Sequence, residues 1–175
     1  MNAPAGPCAT STTLSSAISQ KANRDILFAH AAAAQNRIGI VKKTGYSVST
    51  DCVNAISTPT VNPFPTAMLL HSSGKLFVAY SNSIVPVHSI YSYDVSATAI
   101  TNGVHVYNDP SVVAGISALT VMDDGRILVA SVHPSMNTVE LFNYGTTANS
   151  LAPVGTSFIL PSTCKKSISS LLIAN

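Results

Sequence analysis

The sequence writes one short pattern twice at a fixed interval of 51 residues. The stretches "HSSGKLFVAY" (71–80) and "MDDGRILVAS" (122–131) each carry a glycine, then a cationic side chain, then an apolar run. An ungapped alignment of residues 65–115 with 116–166 keeps apolar or aromatic character at matched positions: Leu76/Ile127, Phe77/Leu128, Ile90/Leu141, Tyr91/Phe142 and Tyr93/Tyr144. A weaker copy precedes them, in which "ILFAH" (26–30) matches "LFVAY". Such a period predicts units that bury their apolar faces only against one another.

Within each unit the apolar pattern has the period of strands. In the clearest unit, "SALTVM" (117–122) is a continuous apolar run, which is typical of a strand covered on both faces. Asp124-Gly125 then predicts a tight hairpin turn with positive φ at both residues, and "RILVASV" (126–132) returns. "TVELFNY" (138–144) alternates, and a fourth strand is predicted over "GTSFIL" (155–160), before Pro161. The chain is therefore predicted to be all-β.

Four short antiparallel strands in each unit of about 51 residues indicate β-propeller blades. We predict an irregular N-terminal arm (1–12) followed by one propeller-type domain (13–175). Its blades span approximately 13–64, 65–115 and 116–166, and an extra strand spans 167–175. The strand period excludes a helical solenoid, whereas a β-sandwich is compatible with the strands but does not predict the constant spacing.

The segments "MDDGRILVAS…VELFNYG" and "HSSGKLFVAY…SIYSYD" resemble the delta-60 repeat, whose units run "DGKILVAG…ARYNPDG". The resemblance covers residues 65–160 and is weak over 13–64. It implies a surface or extracellular propeller module, and the family carries no catalytic motif to transfer. The sequence departs from the repeat where Tyr80 and Ser131 replace the glycine after the strand, and where Asp94 and Gly145 each keep half of the closing Asp-Gly.

Three blades do not close a ring, because propellers use about four to eight. Two copies forming a six-bladed C2 dimer would close it. Another chain supplying the remaining blades, or an open arc capped by another protein, would also complete the fold. The terminal "SISSLLIAN" (167–175) repeats the start of the preceding unit, and we expect it to complete a blade with a partner chain or with the N-terminal blade.

The composition narrows the function classes. Charged residues make up only 9% of the chain, against roughly 25% in typical soluble domains, which favours an assembly, secreted, cell-surface or virion protein. The basic residues are scattered, so we expect no nucleic-acid partner. No apolar run is long enough for a membrane helix, and no signal peptide is visible. Cys8, Cys52 and Cys164 have no metal-ligand or paired spacing. One disulfide among them remains an alternative, and a buried thiol is expected at Cys164.

Several histidines, aspartates and tyrosines could have either a functional or a structural role. His30, His71, His88, His105 and His133 come from different strand ends and loops, where an axial metal site is the alternative to surface histidines. The acids are Asp94, Asp109, Asp123 and Asp124, and the last two are explained by the hairpin turn. Tyrosines 80, 91, 93 and 107 offer an aromatic binding surface, although Tyr93 and Tyr144 fit a core role. The loops 82–88 and 133–137 vary most between units. No nucleophile elbow or phosphate loop occurs.

We therefore predict no catalytic, cofactor-binding or metal-binding residue and no cofactor. The predicted function is that of a non-enzymatic β-propeller module that acts through assembly and surface recognition. The alternative is part of a propeller hydrolase or lactonase whose axial metal site needs further blades.

Overall fold

The repeat folds into three antiparallel β-sheets arranged one after another along the chain. The computed structural model describes residues 17–20, 25–30, 37–41, 52–57, 64–81, 88–96, 99–109, 115–132 and 137–161. We call the sheets blades 1, 2 and 3. The predicted arm (1–12), the strand at 167–175, Cys8, Cys164 and His133 lie outside these ranges. Cys52 lies in a described strand.

Each blade is formed by strands that follow one another in the sequence. Blade 1 has the order β1-β2-β3-β4 and blade 2 the order β5-β6-β7-β8. The bounds of their strands are β1 Ala17–Gln20, β2 Ile26–His30, β3 Arg37–Val41, β4 Cys52–Ser57, β5 Phe64–Leu70, β6 Lys75–Ser81, β7 His88–Val95 and β8 Ile100–Asp109. All of the pairings are antiparallel. The predicted four-stranded antiparallel unit is confirmed, including the strand beginning at "ILFAH".

Blade 3 keeps this order but has a divided outer strand. Its strands are β9 Gly115–Val121, β10 Ile127–Val132, β11 Asn137–Gly145, β12 Ser150–Pro153 and β13 Phe158–Ile159. Both β12 and β13 pair with β11, one at each end. The prediction of a single fourth strand over 155–160 was therefore wrong. The chain turns away at Gly155, where φ is +76°, and only two of the predicted residues are in a strand.

The A–B hairpins of blades 2 and 3, which join each first strand to its second, have the same three-residue loop. In blade 3 the N–H of Gly125 donates to the carbonyl of Met122, and the N–H of Met122 donates to the carbonyl of Arg126. Gly74 and Gly125 have φ of +84° and +83°, whereas Asp124 is not in the positive-φ region. The predicted Asp-Gly turn with two positive-φ residues was therefore wrong, because a three-residue loop needs only its last residue in the left-handed region.

The first strands of the three blades lie side by side, and β5 contacts both β1 and β9. We call the face that a blade turns toward the preceding blade its near face, and the opposite one its far face. One apolar cluster joins the far face of blade 1 (Leu27, Ala29, Ile38, Ile40) to the near face of blade 2 (Met68, Leu76, Val78, Tyr80, Tyr93, Ile100). A second joins the far face of blade 2 (Ala67, Phe77, Ala79, Ile90, Val106) to the near face of blade 3 (Ile116, Leu119, Ile127, Val129, Phe142, Leu151).

The strand registers place the repeat differently from the ungapped alignment in one strand. Leu76 lies opposite Tyr93, but its counterpart Ile127 lies opposite Phe142 rather than Tyr144. In β11 the structural equivalents are thus offset by 49 residues instead of 51. The connection before this strand has four residues in blade 3 (133–136) and six in blade 2 (82–87). After the strand, the paired residues Asn143 and Ala152 are nine positions apart where Asp94 and Thr101 are seven apart, so the offset returns to 51 in the fourth strand. A shift of two preserves which face each side chain occupies.

Candidate functional site

The histidines do not form one site in the described part of the chain. His71 ends β5 at the A–B turn, whereas His88 begins β7 beside Ser81, at the opposite end of β6. His105 is exposed and lies against Tyr91, with ring centroids 5.0 Å apart. His30 lies in β2. Among the described residues, no group of three or more His, Cys, Asp or Glu side chains is arranged to hold a metal ion. The axial metal site therefore remains only part of the alternative function, which needs further blades.

His71 joins the turns of two neighbouring blades. Its Nδ1 accepts the N–H of Ser73 at 3.1 Å and lies 2.8 Å from the Oγ of the same residue. Because Nδ1 is an acceptor, the proton is on Nε2, which donates to the carbonyl oxygen of Gly125 at 2.8 Å. The buried ring also packs edge-on against Phe77 and Tyr144. This histidine stabilises the packing of blade 3 on blade 2.

A serine and a histidine face blade 3 at the other end of the same strands. The Oγ of Ser81 lies 3.2 Å from Nδ1 of His88, whose side chain is buried. Gly115 has a φ of +115°, which side chains rarely adopt, and a Cβ added there would lie 2.8 Å from the Ser81 Oγ. Glycine therefore suits the start of β9 beside this pair. The equivalent cross-strand pair in blade 3 is Val132 and Asn137. The serine–histidine pair is therefore specific to blade 2 and is not required by the repeat.

Two of the four aspartates weighed in the sequence, Asp94 and Asp124, form local ion pairs. Asp124 accepts the N–H of Arg126 at 3.0 Å and pairs with its guanidinium at 2.6 Å. Asp94 lies 2.7 Å from the Lys75 Nζ across the β6–β7 ladder. These hydrogen-bonded cations lower the pKa of both carboxyl groups. Asp124 thus has the predicted turn role. Asp109 ends β8, and Asp123 is exposed in the turn.

The tyrosines belong mainly to the packing between blades 1 and 2. Tyr80 and Tyr93 share a hydrogen bond of 2.8 Å between their hydroxyl groups, and both side chains are buried. Burial raises the pKa of Tyr93 to about 12 and that of Tyr80 further above its ordinary value. Tyr91 packs against both rings. Tyr107 instead lies between blades 2 and 3, with its ring centroid 4.7 Å from that of Phe142. None of these contacts forms an open aromatic platform.

The sequence did not single out Asn149, which connects blades 2 and 3. Its Oδ1 accepts hydrogen bonds from Ser92 and from Tyr144, each at 2.8 Å. Asn149 has a φ of +47°, in the left-handed region that asparagine tolerates better than most residues. It lies between the predicted strands 138–144 and 155–160, and its partner on blade 2, Ser92, is 57 residues away. Chain order alone does not identify such a contact.

A groove lies where the outer strand of blade 3 is divided. It has a volume of about 340 Å³ and is lined by Glu140, Leu141, Pro153, Val154, Gly155, Thr156, Ser157 and Ile159. Its carboxylate, Glu140, accepts hydrogen bonds from Ser157 and from Tyr107 of blade 2. Phe158 and Ile159 are exposed beside it. The variable loops expected to carry a binding surface, 82–88 and 133–137, are described only at His88 and Asn137.

The far face of blade 3 is the largest difference between the repeats. By register and alternation it carries Ala118, Thr120, Leu128, Ala130, Val139 and Leu141, none of which is charged. Phe77 and Ile90, which occupy the positions of Leu128 and Val139 in blade 2, are fully buried against blade 3. Leu128 and Val139 are only half-buried. Blade 3 thus repeats a packing face without a described fourth blade upon it.

The comparisons agree with this architecture. No protein-family model and no curated protein matches the sequence. A crystal structure of virginiamycin B lyase from Staphylococcus aureus superposes with a TM-score of 0.59 and 17% identity, over 96% of this chain and 46% of that one. A catalytically inactive variant of that enzyme with quinupristin gives a TM-score of 0.54 and 17% identity, over 91% and 44% of the two chains.

The fold class is accordingly that of a β-propeller, as predicted from the repeat. The chain spans less than half the length of the lyase chains that it matches. At 17% identity this similarity shows the fold alone. It does not extend to the delta-60 family, which stays a prediction. In the described ranges no helix is both long and apolar enough to cross a membrane.

Proposed function

We propose that the chain is a non-enzymatic β-propeller building block that acts through assembly and surface recognition. The observation that carries this proposal is that four far-face side chains of blade 3 are half-buried, whereas Ala118 and Ala130 on the same face are buried. The four are Thr120, Leu128, Val139 and Leu141. The same face of blade 2 packs against a neighbouring blade and forms the core there. A face that repeats this pattern is suited to the same kind of contact.

Three apolar side chains on the far face of blade 3 keep part of their surface in water. Fully burying a leucine or valine contributes about 1.5–3 kcal/mol relative to exposure, so covering the remaining surface of Leu128, Val139 and Leu141 favours association. The six far-face positions of β9–β11 include no charged residue that would need a partner. The low charged fraction of the whole chain, 9%, also suits packing against neighbours. We place this building block in a secreted, cell-surface or virion structure.

The test is the mass of the 175-residue chain in solution, measured by light scattering over a series of concentrations. Assembly predicts species above the monomer mass of 18.1 kDa. Leu128→Asp introduces a charge on the far face and is expected to weaken association at least about tenfold. The matched control is Val104→Asp, which places the same charge at an already exposed position on β8. A monomer at every concentration, or equal effects of the two variants, would refute assembly through this face.

The second candidate is part of a propeller enzyme, either a hydrolase or lactonase with an axial metal, or a lyase like the structural neighbours. The fold similarity to virginiamycin B lyase favours it. Because an axial site needs further blades, the assembled form is the sample to test. Calorimetric titration with Mg²⁺ and Mn²⁺, followed by incubation with quinupristin, distinguishes the candidates. Metal binding together with conversion of quinupristin supports the enzyme, and no heat and no conversion supports the building block.

A further inference from the structure

The two interfaces inside the chain follow one positional rule. In blades 1 and 2, Leu27 of β2 lies in the same cluster as Leu76 of β6. In blades 2 and 3, Phe77 lies in the same cluster as Ile127 of β10. Each time, the far-face residue that directly follows the first near-face residue of a blade's second strand is buried with the first near-face residue of the next blade's second strand. The interface is therefore built from repeated positions and not from one special contact.

The rule leaves two positions without a described blade opposite them. On blade 3, Leu128 is the equivalent of Leu27 and Phe77, and it is half-buried where they are fully buried. On blade 1, Ile26 is the equivalent of Leu76 and Ile127, and it too is half-buried where they are fully buried. The next near-face residue of β2, Phe28, is buried like its equivalents Val78 and Val129, so the partly exposed position on this face is Ile26.

These two faces are complementary, because each interface inside the chain packs the far face of one blade against the near face of the next. We propose that the far face of blade 3 binds the near face of blade 1 of a second copy of this chain, so that Leu128 of each copy packs with Ile26 of the other. This rests on the proposed assembly function and names its partner. With a rotation of 180°, the same contact also places the partner's blade 3 on blade 1 of the first copy.

The resulting dimer has six blades and two identical new interfaces. Six lies within the range of about four to eight blades in known propellers. A twofold axis makes the arrangement closed, so that both open faces are covered and no further copy adds. The new interfaces repeat the contact already made twice within the chain, which is why the partner is a second copy and not an unrelated protein.

The test is a charge exchange between two variants of the full chain. Leu128→Lys blocks the far face and Ile26→Glu blocks the near face, so each variant alone is expected to be a monomer. Mixed together, they form a heterodimer with one unchanged interface and one that pairs lysine with glutamate. Light scattering should give about 36 kDa, twice 18.1 kDa, and native mass spectrometry should show one copy of each variant. Recovery on mixing also demonstrates that each variant is folded.

The other outcomes separate this inference from the proposed function. If Leu128→Lys alone blocks association and Ile26→Glu does not, two far faces pair with each other: assembly stands and the second-copy ring is wrong. If the unaltered chain forms assemblies larger than the dimer as the concentration rises, the head-to-tail contact forms but the ring does not close. This outcome also overturns the proposed dimer. If the unaltered chain is always monomeric, both proposals fail. The control is the single substitution Val104→Lys, and this variant should remain a dimer.

Discussion

Blades 2 and 3 have the same strand order and the same hairpin loop, yet their second strands are buried differently. In β6 the five central residues, Leu76 to Tyr80, are all buried. In β10, Ile127 and Val129 are buried and Leu128 between them is not. The apolar character of the two strands is the same. The equivalent side chains Phe77 and Leu128 are therefore buried differently because a described blade packs against the first and not against the second.

The largest expected effect on the free energy of unfolding comes from a substitution at Phe77, and it tests this difference directly. Phe77→Ala empties a fully buried position between blades 2 and 3 and should lower the free energy of unfolding by about 3–5 kcal/mol. Leu128→Ala, at the equivalent half-buried position, should cost less than about 2 kcal/mol at protein concentrations where the chain is monomeric. Urea unfolding measures both. Equal losses under those conditions would mean that the far face of blade 3 is already covered.

The interface between blades 1 and 2 differs in that it contains a buried polar pair. Tyr80→Phe leaves the Tyr93 hydroxyl without this partner and should cost about 1–3 kcal/mol. Tyr80→Phe with Tyr93→Phe should cost less than the sum of the single changes, because the orphaned hydroxyl is then absent. Additive losses in urea unfolding would indicate that the two hydroxyl groups are not coupled.

The same pair gives the blade 1–2 interface an alkaline limit. Since burial raises the folded-state pKa of Tyr93 to about 12 from 10.0, its contribution to stability is fully present below pH 10 and is lost as the pH rises toward 12. Unfolding free energies measured across that range should fall, and the fall should be smaller in Tyr93→Phe. Absorbance at 295 nm should show late ionisation of this tyrosine in the folded protein. An unchanged slope in the variant would contradict this assignment.

Replacement of either turn glycine provides an internal calibration, because blades 2 and 3 have the same hairpin loop. Gly74→Ala and Gly125→Ala each place a side chain at a φ near +84°, and neither new Cβ meets an atom closer than 3.6 Å. Each should therefore cost about 1–2 kcal/mol from backbone strain alone. Thermal unfolding should give the same loss for both. A larger loss at Gly125 would indicate that the hydrogen bond from His71 to its carbonyl had also been broken.

The smallest effect is expected from the exposed ion pair of blade 2. The ammonium group of Lys75 lowers the pKa of Asp94 below 3.8, so this pair stabilises the fold above pH 3.8 and its contribution is lost as the pH falls below that value. In the Asp94→Asn variant, the free energy of unfolding should fall slightly less than in the parent protein as the pH decreases below 3.8. Because both side chains are partly exposed, 1 M salt should reduce the difference between variant and parent. A difference that survives in high salt would argue for a role beyond this pair.

The repeat allowed the blade architecture to be predicted, since each strand needed only its own apolar period and its own turn. Contacts between blades were less accessible. His71 was singled out in the sequence, but its acceptor is the carbonyl of Gly125, 54 residues away, and any residue has a carbonyl. The divided outer strand of blade 3 also escaped prediction, because the turn at Gly155 depends on how β11 pairs with both β12 and β13.

The candidate site divides in the same way. The turn role of Asp124 could be predicted from the Asp124-Gly125 pair, because its hydrogen bond joins residues two positions apart. The half-buried state of Leu128 was not, since its sequence environment is nearly that of Phe77. Whether an apolar residue is core or interface depends on what is next to it in space, and a single sequence does not contain that information.

The two-residue offset in β11 shows how these blades tolerate changes in length. Blade 3 has four residues between its second and third strands where blade 2 has six, and the difference is restored after the third strand. Both apolar clusters survive because an even change returns every side chain to its own face. A one-residue slip of the pairing register would exchange the two faces. For protein engineering, the connections at 82–87 and 133–136 are therefore graft sites at which an inserted peptide preserves the core as long as the paired strands keep their register.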